Sequence, residues 1–176
     1  MNNFYLNSMG KSIEGATTLT EALEKSGLNW TAKSAPVEYH ADSEEVSIEP
    51  NHKVVYKDTD KSPLGVVGIN YGIIQNTEAF AISEALIGSK VEFLRGGQSL
   101  SQTYLVMQGE KTLLLGEEVD NYIIIRNSFD GSCRLQISWV PVINGTLLDT
   151  IHKRVFDIKH SAAWVKKYGK TFVETL

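Results

Sequence analysis

The sequence predicts an α+β fold: a mostly antiparallel, twisted sheet built from hairpins, with a few helices packed on one face and a helical C-terminus. Three observations predict it. β-rich runs come in pairs separated by turn residues. Short amphipathic stretches carry helix caps at their ends. The two kinds of element alternate without the regular βαβ rhythm of a doubly wound sheet. The 176 residues match the usual size of one domain, about 100–200 residues. No linker, repeat or low-complexity stretch divides them, so residues 1–176 read as a single domain.

The elements follow in order. Thr18-Leu19-Thr20-Glu21 is a capping box, in which the Thr18 hydroxyl accepts from the Glu21 N–H while the Glu21 carboxylate reaches back. Leu19, Ala22 and Leu23 recur at helical spacing and Gly27 supplies a C′ residue, so the helix covers about residues 19–26. From Trp30 to Ile48 the chain reads as extended but irregular, with an acidic loop around Asp42, Glu44 and Glu45. Residues 52–58 and 64–71 are β-rich and flank Thr59-Asp60-Lys61-Ser62-Pro63, a turn composition, which makes a hairpin. Asn76 as N-cap, Glu78 in the first turn and Gly88 at the end predict a helix over 77–87. Residues 90–95, 100–108, 111–116, 119–127 and 133–140 are strand candidates. Gly96-Gly97 interrupts the first pair, and Asp130-Gly131 turns the last pair into a second hairpin. Two C-terminal pieces, 146–156 and 161–173, read as helical.

Composition narrows the function classes. An apolar fraction of 42% and a charged fraction of 22% are those of a globular protein. No apolar run approaches the ~20 residues of a membrane span, and Met1-Asn2-Asn3-Phe4-Tyr5 has neither the basic nor the apolar part of a secretion signal. One cysteine, Cys133, permits no internal disulfide and no multi-thiolate metal site. The cytosol is the compartment these features suit. Charge is unevenly distributed: residues 1–150 hold 11 Lys+Arg against 19 Asp+Glu, and residues 151–176 hold six against two. An acidic body with a basic tail hints at an anionic partner, although a solvated helix face has the same composition.

Most chemical motifs fail on inspection. His40, His52, His152 and His160 include no pair at the i, i+4 spacing of a helical zinc motif. Gly10-Lys11-Ser12 and Gly169-Lys170-Thr171 end like phosphate loops, yet Tyr5 and Trp164 stand where the leading glycine is needed. Gly65-Val66-Val67-Gly68 is no dinucleotide fingerprint. Arg95-Gly96-Gly97-Gln98 is a flexible segment that can present Arg95 to an anion, or simply form a bulge or wide turn. Cys133 lies among apolar residues as a small hydrophobe, and the paired acids Asp58/Asp60, Glu44/Glu45 and Glu117/Glu118 lie in polar stretches with no burial to shift their pKa values. No catalytic constellation and no cofactor site emerges.

Nucleic-acid binding has cumulative support. The tail intersperses Lys153, Arg154, Lys159, His160, Lys166, Lys167 and Lys170 with Phe156, Trp164 and Tyr168. Cations neutralise phosphates and flat rings stack on bases, as sequence-tolerant single-strand binders require. An amphipathic helix burying Trp164, Val165 and Phe172 accounts for the same aromatics.

Five ordered blocks carry a family resemblance. They are Glu14 to Thr18 with Glu21 to Leu23 and Ser26 to Trp30; Leu64 to Tyr71 with Gln75 to Phe80; Arg95-Gly96-Gly97; Asn127 to Ser132; and Ile158 to Ser161. Together, over about residues 14–161, they resemble the phage/plasmid-like proteins of domain of unknown function 932. The chain departs from the family's pattern at Asn7 to Gly10, at Phe129 where a histidine is usual, and at Pro141 to Leu147. Many members also continue beyond the point where this chain stops. The resemblance implies a mobile-element context without an assigned activity. It favours a DNA-associated protein, a single-strand binder or annealing accessory, with a groove formed by Lys153, Arg154, Lys159, Lys166, Lys167 and Arg95; a homo-oligomer is expected only by analogy with ring-forming annealing proteins. The alternative is a counter-defence protein that binds a host protein or a small nucleotide, recognisable by an exposed apolar patch or a closed pocket.

Overall fold

Thr18 opens the first helix as its sequence demands, and strands dominate the other described residues. In the computed structural model, which describes residues 9–41, 45–87, 90–147, 153–158 and 160, helix α1 runs Leu19–Ser26. The Thr18 hydroxyl accepts from the Glu21 N–H at 3.2 Å. The Glu21 carboxylate reaches one residue further back than a capping box requires, to the Thr17 N–H at 2.8 Å. Gly27, at φ 77°, closes the helix in the left-handed conformation that a Cβ disfavours.

The strands are β1 (Lys11–Ser12), β2 (Ala32–His40), β3 (Val46–Lys57), β4 (Pro63–Gly68), β5 (Glu92–Ser99), β6 (Gln102–Gln108), β7 (Thr112–Leu114), β8 (Glu117–Ser128), β9 (Leu135–Ile143), β10 (Thr146–Leu147) and β11 (Lys153–Ile158). All pairings are antiparallel and form two sheets. The larger has the order β1-β5-β6-β8-β9-β10, with β11 also on β9 and β7 on β8; the smaller is β2-β3-β4. The only other helices among the described residues are α2 (Asn76–Phe80) and α3 (Ile82–Leu86).

This architecture corrects the sequence expectation. Among the described residues the protein is mostly antiparallel β rather than α+β, with no helical C-terminal element among them. Where helix was expected over 146–156, β10 and β11 pair antiparallel with β9. Val155 and Ile158 favour the extended form, and an open sheet edge overrides weak helical spacing. The second expected helix, 161–173, lies outside the described residues. The irregular stretch 30–48 is instead β2 and the start of β3. The expected helix 77–87 is two five-residue pieces, and Gln75, not Asn76, stands at the N-cap; across the break the Ser83 hydroxyl donates to the Phe80 carbonyl at 2.6 Å, a local competitor of the helical ladder.

Gly96 and Gly97 do not interrupt a strand; β5 runs through them. Their role is close approach. A Cβ on Gly96 would lie 2.7 Å from Leu105 Cδ2 and 2.9 Å from Ser26 Cβ of α1, and one on Gly97 would lie 2.9 Å from Gly10 Cα. The bulge in β5 sits one residue earlier, between Phe93 and Arg95.

The main core fills the space between the large sheet, the small sheet and the helices. Leu105, Ile125 and Ile137 stand in register across β6, β8 and β9. They meet Ile13, Ala22 and Leu23 around α1, Val55 and Val67 from the small sheet, and Phe80 of α2. The opposite face of the large sheet is apolar too: Tyr104, Val106, Tyr122, Ile124, Val140 and Val142 form a second buried cluster. Apolar residues on both faces explain the uninterrupted apolar run Tyr122 to Ile125 in the middle of β8.

Candidate functional site

The basic residues singled out in the sequence do not form one patch among the described residues. Arg95, on β5, donates from Nε to the Met9 carbonyl and from Nη2 to the Gly10 carbonyl, both at 2.8 Å. Its guanidinium fastens the chain entering β1 to the sheet. Lys153 and Arg154 begin β11, in register with Trp139 and Ser138 of β9. Four strand spacings separate β5 from β11, roughly 19 Å. Lys159, Lys166, Lys167 and Lys170 lie outside the described residues. His160 is 8% exposed and sits inside the fold.

His160 marks a polar joint. Its ring stacks on Tyr71, with centroids 5.1 Å apart and planes 5° from parallel. A carbonyl can only accept, so the Nδ1–Gly72 carbonyl contact at 3.2 Å puts the proton on Nδ1. Nε2 is then a bare, buried acceptor with no partner among the described residues. Burial lowers the histidine's pKa, against a smaller upward push from the Gly72 carbonyl, so the ring is neutral at physiological pH. It is therefore no counter-charge for phosphate.

The Tyr71 hydroxyl donates to the Ser128 carbonyl at 2.9 Å, and burial pushes its phenol up to about 12. The Ser128 hydroxyl in turn donates to the Cys133 carbonyl at 2.7 Å. Partial burial pushes the Asp130 carboxyl up, but hydrogen bonds from Ser101 and Ser132 outweigh it and hold the pKa below its ordinary value. Gly65 lets this turn approach the small sheet, since a Cβ there would lie 2.5 Å from Asp130 Cβ. Beneath it, buried Asn76 donates to the Leu28 carbonyl at 3.0 Å and accepts from the Thr103 hydroxyl at 2.9 Å, and Asn127 donates to the Ile74 carbonyl at 3.0 Å.

Chemically, these groups join segments; they do not activate a nucleophile. Among the described residues no three His, Cys, Asp or Glu side chains come together as metal ligands. A cleft of about 350 Å³ lies beside α1, lined by Leu23, Leu28, Trp30 and Gln75. Its one charged lining residue is Glu24, which disfavours an anionic ligand. The Lys57 ammonium stands over the Trp30 ring, 5.1 Å from its centroid.

One surface feature escaped sequence reasoning. Leu113, Leu114 and Leu115, at the turn from β7 to β8, are 74%, 41% and 99% exposed, and Leu115 has φ 53°. Three leucines between Lys111 and Glu117 read as part of a strand, and nothing in that pattern says they stay outside. The polar joint did leave a signal: Tyr71, Ser128, Asp130 and His160 each fall in a block that carried the family resemblance.

A family model described as domain of unknown function (DUF932) matches residues 63–172. The chain belongs to that family. The match takes in the joint and β4 to β11, while the resemblance blocks between Glu14 and Trp30 lie upstream of it. No curated protein and no solved structure matches. No helix among the described residues is long and apolar enough to cross a membrane.

Proposed function

We propose that this DUF932 protein is a DNA-associated protein of a phage or plasmid, a single-strand binder or annealing accessory acting in the host cytosol. The carrying observation is charge segregation on an otherwise acidic chain. Six of its 17 basic residues fall after residue 150, and β11 sets the first two on the outer edge of the large sheet. Lys153, Arg154, Lys159, Lys166, Lys167 and Lys170 are the phosphate contacts in this reading; Arg95 is already occupied by two carbonyls.

The test is fluorescence anisotropy of labelled single- and double-stranded oligonucleotides across a salt series. Six phosphate contacts to a single strand give a log–log salt slope of about −4, a loss of roughly 10²–10³-fold between ~50 and ~200 mM salt. K166E/K167E should weaken binding and flatten that slope by at least ~1. Absence of binding at low salt overturns the proposal.

The exposed leucine tip favours a second reading, a counter-defence protein that docks on a host protein through Leu113–Leu115. Its test compares the wild type with L113S/L115S in crosslinked pull-downs from host lysate. Loss of a specific band supports it, and identical capture by both proteins refutes it.

A further inference from the structure

The long hairpin of β2 and β3 divides at its middle. Ala32 to Pro36 pair with Lys57 to Lys53, and the pairing then jumps so that Val37 faces Glu49. Pro50, Asn51 and His52 therefore have no partner on β2, and His52 pairs across the sheet with Gly68 of β4. Proline stands on both strands at this step, Pro36 on β2 and Pro50 on β3. Beyond it, Val37 to His40 and Val46 to Glu49 pair only with each other among the described residues. The distal half is a two-stranded arm, and isolated two-stranded hairpins are marginally stable in water. Yet it exposes Tyr39 (49%), Val46 (49%) and Ile48 (60%).

The arm has an open edge and a charge. β2 is an edge strand of its sheet. Lys33 and Pro36 blunt the basal half against pairing, as edge strands commonly are, but Val37 to His40 has neither. Residues 37–49 hold Glu38, Asp42, Glu44, Glu45 and Glu49 and no lysine or arginine, so a polyanion is the wrong partner. A complementary edge exists among the described residues: there β11 pairs only with β9, begins with Lys153-Arg154, and leads into the basic tail.

We infer that the acidic arm of one copy adds to the β11 edge of a second copy, extending the large sheet between molecules. Main-chain hydrogen bonds supply the pairing, as in β-strand addition generally, and the opposite charges of the two edges set the partner. The two edges are different surfaces, so the contact is heterologous, and each added copy presents a fresh arm and a fresh edge. Such contacts close into rings or continue as filaments. The arm lies upstream of the family-matched residues 63–172. Nucleic acid and the arm compete for Lys153 and Arg154, whereas Lys159, Lys166, Lys167 and Lys170 follow β11 in the chain and take no part in the strand addition.

The test is sedimentation velocity of the full chain without nucleic acid, over a concentration series at low and high salt. The wild type should show a weight-average mass that rises with concentration and falls with salt. E38K/Y39K and K153E/R154E should each stay monomeric alone and associate when mixed, because the mixture restores one intact arm and one intact edge. K166E/K167E should associate like the wild type even if it no longer binds oligonucleotides, which separates this inference from the DNA-binding proposal. Circular dichroism and melting confirm that each variant folds. If K153E/R154E does not fold, K153Q/R154Q replaces it in the mixing experiment. A monomeric wild type at its solubility limit, self-association of the single-surface variants at wild-type strength, or a mixture that stays monomeric overturns the inference.

Discussion

Replacing Gly65 with alanine tests the joint between the two sheets. Gly65 sits in β4 opposite Val55, and a Cβ on it would lie 2.5 Å from Asp130 Cβ and 3.0 Å from Asp130 Cα. The obstacle is the turn's own backbone, not the far end of a flexible side chain, so β4 and the β8–β9 turn must move apart. Such overpacking costs about 1–3 kcal/mol. For a domain of this size each kcal/mol is worth roughly 2–4 °C in Tm, which gives a fall of roughly 2–12 °C in a thermal melt. Gly68→Ala is the control: the same strand, the same substitution, and nothing within 4 Å of the added carbon. It should change stability by no more than about 1 kcal/mol, with gain as the expected sign because the unfolded chain loses freedom. Equal melts for the two variants, or a neutral Gly65→Ala, would refute the close approach at Asp130.

Three further outcomes follow from the interior and the turns. Thr103→Val preserves shape but removes the one donor bonded to Asn76 Oδ1, and chemical denaturation should show a loss of about 1–3 kcal/mol. Leu115→Asn relieves a left-handed residue that is 99% exposed and should raise stability by about 1 kcal/mol; an unchanged or lowered denaturation midpoint counts against the strain. His160 has its folded pKa depressed by burial. The folded state therefore binds fewer protons than the unfolded chain as pH falls through the free-histidine value of ~6.5. Stability should be full above that value and decline from about 6.5 towards 4.5, before the carboxylates titrate. His160→Phe, which keeps the stack on Tyr71, should flatten denaturation midpoints across that window.

The parts of the fold legible in the sequence are those specified by short-range chemistry. Thr18, Glu21 and Gly27 act through neighbours, and so α1 falls where its caps place it. Asp130-Gly131 likewise turns β8 into β9. The parts that were not legible depend on distant partners. Gly96-Gly97 reads as a break because its reason for being glycine, contact with Ser26 of α1 and with Gly10, lies far away in the chain. β11 reads as helix because the open edge of β9 is invisible from residues 153–158 alone. The candidate site divides the same way. The basic tail is a compositional feature and is plain in the sequence, whereas the occupation of Arg95 by two carbonyls and the burial of His160 are products of tertiary structure.

The latch between Arg95 and the Met9–Gly10 carbonyls also bears on the order of events during synthesis. Lys11 pairs with Gly96, and Arg95 lies 85 positions after Gly10. A ribosome adding about 5–20 residues per second makes the first strand wait roughly 4–17 s before its partner has even been polymerised. Local hairpins form in microseconds, so the β2–β3 pair can zip while β1 is still unclaimed. β1 is therefore fastened later than the β2–β3 hairpin that follows it in the chain, and for those seconds Ile13, which ends fully buried, waits for the β5 strand that covers it.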